Sequence, residues 1–142
     1  MFKKGFTIIE LLIVMAVIAI LVGIAVPSFR GIQQEAWKSK AEGDIKVVKI
    51  ALESYYKAIG SFPAETNYQA TLLGADPKIM ESNVYDPFGA TSTTMYVYKL
   101  STNAKYYVVY SVGSGGTGSC AVSNAGIVTV TGSPIWISNG GL

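Results

Sequence analysis

The chain of 142 residues contains no histidine and one cysteine, Cys120. An intramolecular disulfide is therefore impossible, and a zinc site of thiolates or imidazoles has no ligand set. Serines are plentiful, but no imidazole can activate one as a nucleophile, and lysine or paired-carboxylate schemes lack local support. Glu65, Asp76, Glu81 and Asp86 are scattered over a loop-rich segment and read as solvated or capping residues. After Asp86 there is no acid at all, only Lys99 and Lys105. Gly113-Ser114-Gly115-Gly116 lacks the following lysine of a phosphate-binding loop. The formal charge of +2 rests on Lys3 and Lys4, and no basic patch with interleaved aromatics points to nucleic acid. Neither a cofactor nor a metal is implied, and Cys120 reads as a buried thiol.

What the chain does possess is one long apolar run, Phe6–Val26. Its only ionisable side chain is Glu10, followed by sixteen uncharged residues from Leu11 to Val26. As a helix the run would span about 31 Å, enough to cross the hydrocarbon core of a bilayer. The order is then a leader (1–5), a transmembrane half-helix (6–27) and a small globular head (28–142). Lys3 and Lys4 favour a cytoplasmic N-terminus with the head on the far side. Ala25-Val26-Pro27-Ser28 makes a poor cleavage site, and the run exceeds a secretory core, so retention is expected. A signal-anchored binding module or enzyme would carry the same kind of span.

Pro27 is expected to kink the helix without ending it. Beyond it, Ala36, Ala41, Ile45, Val48, Leu52, Tyr55 and Ile59 recur, and from Ala41 onward the spacing traces one helical face. Glu35, Lys38, Glu42, Lys46, Lys49, Glu53 and Lys57 largely occupy the other side, with Glu42–Lys46 and Glu53–Lys57 as supportive pairs. One helix of about fifty residues is predicted, apolar all round in its first half and amphipathic in its second. Gly60-Ser61-Phe62-Pro63 ends it. A short helix near Asn67–Leu73 and a turn at Asp86-Pro87-Phe88-Gly89 follow. Strand signals occupy Met95–Leu100, Lys105–Val112, Gly126–Thr131 and Pro134–Ile137, with a flexible Gly113–Ala125 loop between the second and third. The fold class is α+β: a long helix packed on an antiparallel sheet of three or four strands.

Lys3-Lys4-Gly5-Phe6-Thr7-Ile8-Ile9-Glu10-Leu11-Leu12-Ile13-Val14 closely resembles the class III signal of type IV pilins and type II secretion pseudopilins. The resemblance implies a type IV pilin-like fold and cleavage between Gly5 and Phe6 by a prepilin peptidase, which methylates the new Phe6 amine. Pro27 falls where the family usually kinks its helix. Implied partners are the bilayer before assembly, an inner-membrane assembly platform, and identical subunits in a helical filament. The implied location is the inner membrane, then a surface pilus or a periplasmic pseudopilus. Glu10 would pair with the Phe6 amine of a neighbouring subunit and set the stagger between the two. The residues alone leave a local role open, because Thr7-Ile8-Ile9-Glu10 has the form of a capping box, and Glu10 could also pair with its own amine.

Gly60-Ser61-Phe62-Pro63, Asp86-Pro87-Phe88-Gly89, Tyr96-Val97-Tyr98 and Tyr110-Ser111-Val112-Gly113 look like the layout of major pseudopilins. Those proteins typically bind calcium in a late loop with aspartates, whereas Gly113–Ala125 contains no acid, so no such site is expected. Pilins with a C-terminal disulfide loop also differ, since Cys120 has no partner. The balance favours a pilus subunit over a pseudopilin.

Overall fold

The computed structural model describes residues 5–140, apart from the side chains at positions 27 and 28. Positions 1–4 of the expected leader and the Pro27 ring expected to bend the helix lie outside the described residues. Helix α1, Ile8–Ile59, has 52 residues, as the joined apolar and amphipathic patterns predict. It stops at Gly60, whose φ of +85° is left-handed and whose N–H donates to the Tyr56 carbonyl at 2.8 Å. A residue without Cβ takes that conformation at no steric cost. The chain divides into two compact units with the boundary between Ala36 and Trp37.

In the first unit, Leu11, Leu12, Ile13 and Val14 are all exposed. Four successive residues point around the whole circumference of a helix, so this segment is apolar on every side.

In the second unit, Ala41, Ile45, Val48, Ala51 and Leu52 of α1 are buried. They pack in one core with Tyr68 and Leu72 of the short helix α2 (Tyr68–Leu73) and with Tyr96, Tyr98, Tyr107 and Val109. The ion pairs that form are Lys40–Asp44 at 3.6 Å and Lys49–Glu53 at 3.8 Å, in place of the expected Glu42–Lys46 and Glu53–Lys57. Tyrosines hold the two acids of the observed pairs. The Tyr96 hydroxyl donates to Asp44 Oδ2 at 2.9 Å, and the Tyr107 hydroxyl makes a longer 3.5 Å contact with Glu53 Oε1. Both acids thus sit at the edge of the buried face, within reach of the lysine one turn earlier.

Strands β1 (Val97–Leu100), β2 (Tyr107–Ser111), β3 (Ser119–Val122), β4 (Val128–Thr131) and β5 (Ile135–Ser138) follow in the chain. They build an antiparallel sheet of order β1-β2-β5 and a separate β3-β4 hairpin. Four of the five lie inside or within one residue of the predicted segments. The fifth, β3, falls in the stretch expected to be a flexible loop. Its Cys120 pairs opposite Val130, and Val122 opposite Val128. Cys120, Val122 and Val128 form a second cluster with Val108, Tyr110 and Trp136. The sheet is therefore covered on both faces, by α1 on one and by the hairpin on the other. Double coverage explains why all five residues of β2 are buried and why its sequence runs apolar without alternating.

Asp86 was expected to be solvated or a cap; it does cap a turn, donated to by Phe88 N–H at 2.9 Å, yet it is only 3 % exposed. It also accepts the Ser111 hydroxyl at 2.7 Å and Val112 N–H at 3.0 Å, tying the connecting segment to the end of β2. Glu65 joins α2's approach to β1 from the outside. Partial desolvation would raise its carboxyl, but donation from Leu100 N–H and Lys99 outweighs that, and its pKa is lowered.

The buried phenols carry a testable consequence. Burial raises the pKa of Tyr68 to about 12, and it raises those of Tyr96, Tyr98 and Tyr107 as well. A phenol whose folded pKa exceeds its unfolded value of ~10 stabilises the fold fully below that pH and stops doing so as pH rises through the folded value. Thermal melts should therefore hold steady up to about pH 10 and fall steeply toward pH 12. Phenolate absorbance from these four tyrosines should appear together with unfolding; ionisation of all nine tyrosines ahead of unfolding would refute it.

Cys120 is a free, buried thiol, and burial pushes its pKa up to about 11 from 9.0. The thiolate is the reactive form. Alkylation by iodoacetamide near neutral pH should run roughly tenfold slower than in the unfolded chain, because the smaller thiolate fraction is offset in part by the greater nucleophilicity of a more basic thiolate. Equal rates before and after unfolding would contradict the burial.

Candidate functional site

The site begins at Thr7, just before α1. The Thr7 carbonyl accepts the first helical bond, from Leu11 N–H at 3.3 Å. Thr7 N–H and the Thr7 hydroxyl donate to Glu10 Oε2 at 2.9 and 2.8 Å, and Glu10 N–H donates to Thr7 Oγ1 at 3.3 Å. This is the reciprocal capping box that the Thr-x-x-Glu spacing allows. It satisfies two of the amides that a helix start leaves without partners. Glu10 Oε1 accepts nothing among the described residues, so one carboxylate oxygen remains available to an outside donor. The structure thus brings Thr7 and Glu10 together within one chain, leaving any contact to a second chain a separate matter.

Upstream, Gly5 and Phe6 are both exposed. A Cβ on Gly5 would meet nothing within 4 Å, so neither packing nor a left-handed backbone demands glycine there. Phe6 is 83 % exposed, a large apolar ring with no cover. Downstream, α1 is the one helix among the described residues long and apolar enough to cross a membrane, and none of its apolar stretch is buried. The helical backbone continues through position 27.

Chemically, this assembly can do two things. The apolar surface partitions into hydrocarbon, or against like surfaces, at about 25 cal/mol per Å². The carboxylate at its start can bind a cation, and a lone charge carried into hydrocarbon beside that surface would be costly. The local pattern of the chain singles out Gly5, Phe6 and Glu10. That pattern does not disclose the long-range partners of Asp86 and Asp44, which lie 25 and 52 residues away.

The prokaryotic N-terminal methylation motif matches residues 1–26. Fimbrial protein EcpC of Eikenella corrodens is 31% identical over 103 residues, which is 72% of this chain and 67% of that protein. The type IV major pilin protein PilA of Myxococcus xanthus is 42% identical over 54 residues, 38% of this chain and 24% of PilA. The type II secretion system core protein G of Escherichia coli is 36% identical over 53 residues, 37% of each chain. The chain thus spans about two thirds of EcpC but well under half of the other two. No solved structure matches it.

Proposed function

Because this chain belongs to the family of type IV pilins and type II secretion pseudopilins, we propose that it is the structural subunit of a type IV pilus. The family is a structural one, whose members assemble into filaments. In this reading the chain works in three parts: leader 1–5, half-helix 6–27 and head 28–142. The half-helix first holds the subunit in the inner membrane. A prepilin peptidase then cuts between Gly5 and Phe6 and methylates the Phe6 amine. An inner-membrane platform moves the subunit into a helical filament of identical copies, where Pro27 bends the helix to let the copies pack.

One observation supports this most strongly: an apolar helix exposed on every side, with one carboxylate near its start. Such a surface is stable only in lipid or against its own kind. Once the leader is removed, Lys3 and Lys4 go with it, and the Phe6 amine becomes the nearest cation to a neighbour's Glu10. The Gly5 position, where nothing in the fold requires glycine, fits recognition by a peptidase.

The second reading is a major pseudopilin of type II secretion, favoured by the likeness to core protein G. Two features support the pilus instead. The likeness to fimbrial protein EcpC extends over 103 residues and so reaches well into the head. The late loop in which major pseudopilins typically hold calcium with aspartates has no acid between Gly113 and Ala125. The deciding experiment is to shear the producing cells, recover surface fibres and sequence their main component. The expected N-terminus is N-methylphenylalanine followed by Thr-Ile-Ile-Glu-Leu-Leu. A mature protein that retains Met1 and stays as isolated membrane-held monomers sinks the reading. Lost protein export with fibres unaffected, on deletion of the gene, selects the pseudopilin.

A further inference from the structure

The second unit carries an apolar groove of about 610 Å³. One wall is α1, through Val47, Ile50 and Ser54; the other is the segment Pro77–Val84, through Ile79 and Met80. Val47 is 51 % and Ile50 64 % exposed. Their spacing of three and then four to Ser54 sets them on one helix face, turned away from the buried line of Ala41, Ile45, Val48 and Leu52. The charged side chains of the α1 outer surface, Lys46, Lys49, Glu53 and Lys57, fall to one flank of this face. The charges on the groove itself, Lys78 and Glu81, neutralise each other at 3.0 Å. Beside that pair only the Ser54 and Ser82 hydroxyls on the lining could partner a polar group, so a charged occupant would lose its water for little return. The groove therefore suits an occupant that is apolar and uncharged over several turns.

This chain contains such a segment in the sixteen uncharged residues Leu11–Val26, exposed wherever the structure describes their side chains. In a filament, other copies of it lie close at hand. The groove also opens on α1, the same continuous helix whose N-terminal residues are assigned to the subunit contacts above. We propose that the groove between α1 and Pro77–Val84 receives the apolar N-terminal helix of a second copy of the chain. The proposal rests on the filament reading and adds to it a head surface that holds a neighbour's stalk, so cohesion extends beyond stalk against stalk.

Disulfide mapping in fibres tests it. Cys120→Ala chains carrying Ile50→Cys together with Ile13→Cys, Val17→Cys or Leu21→Cys are produced alongside the wild-type chain, and sheared fibres are oxidised. At least one pair should give disulfide-linked oligomers joining position 50 of one copy to the stalk of another, and each single cysteine should give none of that product. If Ile50→Cys is excluded from fibres, Val47→Cys on the same wall reports in its place. Fibres in which these cysteines stay unlinked, or link only head to head, overturn the groove and leave the filament reading standing. That is also the result if lipid acyl chains fill the groove. No fibres from the wild-type chain would overturn both.

Discussion

Glu10→Ala and Glu10→Val should enter the membrane as well as the wild-type chain does but yield at least tenfold fewer filaments, measured as sheared fibre per membrane-held subunit. Insertion is spared because removing a carboxylate from an apolar span relieves a cost of about 2.5–3.5 kcal/mol at mid-bilayer, less near its edge. On the filament reading proposed above, assembly suffers because a neighbour's Phe6 amine would be left without a counter-charge. Breaking one side of a buried pair costs about 3–5 kcal/mol, and about 1.4 kcal/mol already corresponds to tenfold in an equilibrium.

The capping box complicates this prediction, because alanine and valine also remove the bonds between Thr7 and Glu10. Glu10→Gln separates the two roles. Glutamine can make the same reciprocal bonds, so it preserves the helix start while losing the charge. Filament yield from Glu10→Gln should be as poor as from Glu10→Ala. Near-normal yield from Gln, with loss in Ala, would assign Glu10 to the cap and remove the intersubunit pair.

The second large effect is expected at Asp86. Asp86→Ala removes the acceptor for the buried Ser111 hydroxyl at the end of β2, and for the part-buried N–H groups of Val112 just beyond it and of Phe88 in the turn. Each buried donor left unsatisfied costs about 1–3 kcal/mol, so the head should lose about 3–5 kcal/mol. For a unit of this size that lowers the melting temperature by roughly 15–30 °C. Thermal melts of the full chain in detergent, followed by near-ultraviolet dichroism of the core tyrosines, read the loss. Glu81→Ala provides the comparison: its partner Lys78 is an exposed neighbour, and the change should stay within about 0.5 kcal/mol. Equal melting temperatures for the two variants would mean that the Asp86 bonds contribute nothing net.

The linear order of residues was enough to reveal the long helix, its apolar start, its Gly60 stop, the candidate cleavage position, Glu10 and most of the strands. Each of these depends on near neighbours: an unbroken run, a spacing of three and four, a cap three residues away, a glycine just past a helix. Folding alone decided the rest. Ser119–Val122 looked like loop because glycine and serine dominate its surroundings; it becomes β3 because Val128–Thr131 pairs with it and the uncovered sheet face beneath it needs shelter. Asp86 changed from a surface acid to a buried one because β2 arrives beside it from 25 residues on. The outer face of α1 held Val47 and Ile50 in plain sight, yet only the approach of Pro77–Val84 turns that stripe into a groove. Local periodicity is carried by covalent neighbours, whereas which groups share a buried space depends on long-range closure, and no short window of sequence encodes that.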